Sequence, residues 1–115
     1  MSIGYELVNF TRREVVSFAH IPASKKSELA GSPIASAITT WYMLECLGDQ
    51  ISFVSDTYGE WPFREGAPSD RNNYLDVTDR IVAELVAAGI FRDLGREYYS
   101  DDPTEYIRLL ENVGC

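Results

Sequence analysis

Few residues of this chain have types that do chemistry. His20 is the only histidine, at the end of an apolar segment just before Ile21-Pro22. A general base there needs an acid or a hydroxyl within hydrogen-bond reach. The candidates are Asp56, Tyr58 and Glu60, and no spacing ties any of them to His20. A structural histidine is therefore the preferred reading. Thr39 and Thr40 are the polar residues of a strongly apolar stretch. Helical threonines return their hydroxyls to the carbonyl one turn back; the competing reading has them line a pocket beside Tyr42 and Glu45.

The segment 55–63 carries the richest mixture, with Tyr58, Trp61 and Phe63 interleaved with Asp56 and Glu60. Large aromatics dominate binding energy at interfaces, and neighbouring acids select a cationic partner. The competing reading folds Trp61 and Phe63 back to close the core. Asp76 and Asp79 extend the acidic surface. The expected partner-binding set is thus Asp56, Tyr58, Glu60, Trp61, Phe63, Asp76 and Asp79. No catalytic residue, cofactor site or metal site is expected. Phosphate-loop, dinucleotide, zinc-protease and serine-hydrolase motifs are all missing. Cys46 lies in an apolar segment and Cys115 ends the chain; neither is in a C-x-x-C.

Charge narrows the partner. The chain has 18 Asp and Glu against 10 Lys and Arg, a net charge of −8. Residues 1–48 are neutral, so residues 49–115 hold the whole excess. Phosphate backbones and anionic membranes attract Lys and Arg, so direct nucleic-acid or membrane binding is not expected. A basic protein partner is. In size, acidity and mixed pattern, the chain resembles the small acidic immunity proteins and inhibitors that bacteria and phages use against basic nucleases. The resemblance implies an inhibitory or regulatory role and transfers no site residue.

The elements follow from local signals. Tyr5–Phe10 reads as a strand. Thr11-Arg12-Arg13-Glu14 has the spacing of a capping box, which favours a helix up to His20 over a hairpin return. A short helical turn over Ser24–Ala30 stops at Gly31. Ser32 and Pro33 suit the cap and first position of a helix ending near Gly48, whose apolar stripe of Ile34, Ala37, Ile38, Trp41, Leu44 and Leu47 is extended around much of the helix by Ala35, Tyr42, Met43 and Cys46. Ile51–Asp56 reads as a strand, 57–73 as a long loop, and Tyr74–Ala88 as an amphipathic helix stopped by Gly89-Ile90. Asp102-Pro103-Thr104-Glu105 is a second capping box, opening a helix to Asn112.

Together these predict one compact α+β domain over 1–115, helix-dominated, with a small two- or three-stranded sheet. No signal peptide or membrane span is read, which suggests a cytoplasmic protein. The leading function is a non-enzymatic binder of a basic partner. A small enzyme or ligand binder with a pocket near His20, Thr40 and Asp56 is the alternative, and a homo-oligomeric structural module is the third reading.

Overall fold

A computed structural model describes residues 4–18, 20–21, 25–55, 61–98, 100–101 and 105–114. The α+β class holds, but helix does not dominate: among the described residues 35% are helical and 32% are strand. The described strands are β1 (Tyr5–Asn9), β2 (Glu14–Ser17), β3 (Ile51–Ser55), β4 (Leu75–Asp76), β5 (Phe91–Tyr98) and β6 (Tyr106–Asn112). The α-helices are α1 (Lys26–Gly31), α2 (Pro33–Glu45) and α3 (Thr78–Ala87). Four strands form one sheet in the order β3-β1-β2-β4, and β5 pairs with β6 in a second. Two expected helices are therefore strands.

The first correction concerns 11–20. Both residues of the expected capping box are used elsewhere. The Thr11 hydroxyl accepts from the Gln50 amide at 2.8 Å, and Glu14 accepts the Tyr42 hydroxyl at 2.7 Å. The chain turns with Arg13 in the left-handed region at φ 59° and returns along β1. Alternation then buries Val15 and Val16 on opposite faces, each opposite an apolar partner, Val8 and Leu7. Such cross-strand pairs are the unit of sheet stability.

The second correction concerns the C-terminal segment. Tyr106–Asn112 pairs antiparallel with Phe91–Tyr98. The expected cap at 102–104 lies outside the described residues.

Other signals were read correctly. Ser32 caps α2 by accepting from the Ala35 amide at 3.1 Å, with Pro33 at the first helical position. At the end of α3, Gly89 takes φ +78°, its amide reaches Val86, and the Ile90 amide reaches Leu85. This is the Schellman arrangement, which satisfies the orphan carbonyls of the last turn. The helix expected over Tyr74–Ala88 starts only at Thr78, because Leu75–Asp76 pairs with β2 as β4, and its inward face is Thr78, Ile81, Val82 and Leu85.

The buried face of α2 is narrower than the expected one. Ala35, Ile38, Tyr42 and Cys46 are buried, while Leu44 is 64% and Leu47 77% exposed. α2 and α3 pack over one face of the four-stranded sheet, where Leu7, Val16 and Phe18 meet Ile38, Tyr42, Ile81 and Leu85. Trp41 Nε1 donates to Glu84 at 3.0 Å, and Arg80 bridges Glu45 and Glu84, stapling the helices along their rim.

The other sheet face carries Val8, Val15 and Val54. No helix covers it. The chain between β3 and β4 does, through Trp61, Phe63 and Tyr74. Phe63 stacks on Phe10 at 5.2 Å, and Trp61 Nε1 donates to the Glu65 carbonyl at 2.7 Å. Arg71 ties the Pro68–Asn73 3-10 helix to the Ser55 carbonyl at 2.9 Å. Gly66, at φ +82°, lets the chain pass tightly here, since a Cβ would lie 2.8 Å from Asp70 Oδ2.

Candidate functional site

The residues expected to bind a partner do not converge. Asp56, Tyr58 and Glu60 lie outside the described residues. Trp61 and Phe63 are half-buried on the second sheet face, as just described. Asp76 and Asp79 lie together at the start of α3, and they adjoin a constellation that sequence reasoning missed.

That constellation sits where the β5–β6 hairpin meets the turn after β2. The Arg108 amide donates to the His20 carbonyl at 2.7 Å, and His20 Nδ1 lies 2.9 Å from the Tyr106 carbonyl. A carbonyl only accepts, so Nδ1 carries the ring proton and Nε2 is left as an acceptor in the neutral ring. The imidazole stacks on Tyr106 with centroids 4.0 Å apart and planes 7° from parallel. Tyr98 follows at 5.6 Å from Tyr106, so Tyr98, Tyr106 and His20 form an aromatic row. The Arg96 guanidinium lies 4.4 Å from the Tyr106 centroid.

Arg96 and Arg108 are cross-strand partners. Like charges directly opposite each other repel, and the two side chains have found different compensation. Arg96 rests on the tyrosine ring, and Arg108 turns inward to an ion pair with Asp79. The Arg108 side chain is only 9% exposed, whereas that of Asp79 is 76% exposed. The hydrogen bond from Arg108 holds the Asp79 carboxyl below its ordinary pKa, with burial opposing. Arg108 Nε has no partner among the described residues. It belongs to a pocket of about 170 Å³ whose lining includes Ser17, Asp76, Thr78 and Asp79. Thr78 organises one wall: its hydroxyl accepts from the Ser17 amide at 2.8 Å and donates to Asp76 at 2.6 Å.

This face presents polar and aromatic groups suited to binding. Among the described residues, no group of three or more His, Cys, Asp and Glu could hold a metal ion. The single pocket expected near His20, Thr40 and Asp56 does not assemble. His20 lines the small polar pocket, Thr40 lines a separate cavity between α1, α2 and the sheet, and Asp56 is outside the described residues. Thr39 and Thr40 do not share a site with Tyr42 and Glu45, which bond to Glu14 and Arg80.

A signal for the hairpin was present in the chain. Arg96-x-Tyr98 and Tyr106-x-Arg108 are mirror images about Ser100-Asp101-Asp102-Pro103, and the register pairs Arg96 with Arg108 and Tyr98 with Tyr106. No helix among the described residues is long and apolar enough to cross a membrane. Comparison with protein-family models, with characterised proteins and with solved structures gave no match.

Proposed function

We propose that the chain is a non-enzymatic binding protein that captures a cationic protein partner and thereby inhibits or regulates it. One observation carries the reading. At the distal end of the β5–β6 hairpin, Tyr98 is 55% exposed beside exposed Glu97, Asp101 and Glu105, and none of these acids holds an ion pair among the described residues. Elsewhere many acids are already paired with arginines: Asp49 with Arg12, Glu6 with Arg71, Glu45 and Glu84 with Arg80, and Glu111 with Arg92. Uncompensated acids around an exposed aromatic speed encounter with a basic surface and supply an anchor once it docks. Asp76 and Asp79 extend the contact along the same face. Trp61 and Phe63 support the sheet behind it, a change from the loop-centred surface expected from sequence. Phosphate-bearing partners, nucleic acid or membrane, are disfavoured by the same charge. A cytoplasmic setting goes with this proposal.

The test compares two baits, the native chain and Glu97→Gln/Asp101→Asn/Glu105→Gln, at low and high salt. A basic protein should be recovered by the native bait at low salt and lost with the triple variant or with salt. Equal recovery by both baits would remove the hairpin from the mechanism.

A further inference from the structure

A cavity of about 560 Å³ opens between α1, α2 and the β1–β3 edge of the sheet. Its volume is that of a small-molecule site. Tyr5, Leu29, Ala30 and Phe53 supply apolar walls. Ser36, Thr39 and Thr40, spaced three and four residues along α2, present hydroxyls on the same side, and Lys26 stands at the entrance from α1.

Two features set this cavity apart. Among the described residues, neither these three hydroxyls nor the Lys26 ammonium forms a side-chain hydrogen bond or ion pair. The threonines therefore do not return their hydroxyls to the helix, as their sequence context suggested. Second, among the described residues that line the cavity there is no acid, while Lys26, one of the chain's two lysines, is there. The small pocket at Arg108 differs on both counts, since Asp76 and Asp79 line it.

We propose that this cavity binds a small amphipathic anion, with an apolar body between Leu29, Phe53 and Tyr5 and a carboxylate or phosphate head on Lys26 and the α2 hydroxyls. The walls remove the apolar body from water. The head finds one cation and up to three neutral donors, and hydrogen bonds with charged partners are the stronger kind. The site is independent of the hairpin face and of the partner proposed for it.

The test is calorimetric titration of the full chain with decanoate, decyl phosphate, decanol and decyltrimethylammonium, each below its micellar concentration. Decanoate or decyl phosphate should bind saturably at one site, decanol about tenfold more weakly, and the cationic amphiphile not at all. Lys26→Gln should weaken anion binding about tenfold and leave decanol unchanged. Ala30→Trp, on the cavity wall supplied by α1, should fill the cavity and abolish binding of every probe; Thr39→Phe fills it from α2 if the first variant is unstable. Absence of saturable binding by both anions, or anion binding untouched by both filling variants, would overturn the proposal. So would equal affinity for the anionic and cationic amphiphiles.

Discussion

Tyr42→Phe tests how the helical layer is held to the sheet. Tyr42 is fully buried on α2, and its hydroxyl donates to Glu14 Oε1, on β2, at 2.7 Å. Phenylalanine fills the ring's space, so little cavity cost arises, and the loss is that of one hydrogen bond to a half-buried carboxylate. Hydrogen bonds to charged groups contribute about 1.5–3 kcal/mol, so a loss of about 2 kcal/mol is expected. Urea unfolding should show a lower midpoint at unchanged slope. Glu14→Gln keeps an acceptor and should cost less, and the double variant should cost less than the two single losses combined. The same residue governs alkaline behaviour. Burial first, and the bond to Glu14 second, push the Tyr42 hydroxyl well above its ordinary pKa. An unfolded tyrosine ionises near pH 10. Above that pH the folded state keeps a proton that the unfolded state has lost, so stability falls as pH rises. Below about pH 9 both states are protonated and this contribution is flat. Tyr42→Phe should make the alkaline decline shallower. An unchanged urea midpoint together with an equally steep alkaline decline would refute the assignment.

Three further outcomes follow from the structure. Trp61→Ala should lower stability by about 2 kcal/mol in a melt, roughly half the cost of truncating a fully buried tryptophan, because Trp61 packs half-buried on Val8, Val15 and Val54; a change below about 0.5 kcal/mol would place it at an ordinary surface. Gly89→Ala should cost about 1 kcal/mol, since φ +78° is strained for an L side chain; an unchanged Tm would refute the Schellman stop as the reason. Asp79→Asn should reduce the loss of stability on acidification. The Asp79 carboxyl is depressed by Arg108, so its contribution is present above the unfolded carboxylate pKa of about 4 and disappears as pH falls through the folded value. An acid limb as steep as that of the native chain would show that the ion pair does not couple to folding.

Signals that need only a few neighbouring residues were readable in the chain. Ser32-Pro33 and Gly89-Ile90 punctuate helices through backbone bonds made within one turn, and both appear where their chemistry places them. Thr11 and Glu14 fail because the same side chains find better-placed partners, Gln50 and Tyr42, far along the chain. The α2 stripe holds only in part, for a related reason. Its residues are apolar almost all round, so the pattern leaves the buried face open, and Tyr42 with its polar anchor on β2 selects it. β5 hides differently: Phe91 is its only buried residue, and without alternating burial a strand has no period to read. Of the candidate site, Asp76 and Asp79 were legible, whereas the hairpin acids Glu97, Asp101 and Glu105 and the aromatic row were not, because Tyr98, Tyr106 and His20 meet only after the hairpin has folded onto the turn after β2.

The covering of the second sheet face by an irregular segment bears on the order in which the molecule assembles. The β1–β2 hairpin joins near neighbours and can form early. β3 adds to β1 by pairing Asn9 with Ile51, and β4 adds to β2 by pairing Glu14 with Leu75, each closing a long loop. Loop closure costs entropy before any contact compensates for it, and non-local pairings of this kind slow folding. Trp61, Phe63 and Tyr74 can reach Val8, Val15 and Val54 only after both outer strands are in place. Until then the three valines remain exposed, so the nascent molecule carries a sticky sheet face that its finished form conceals.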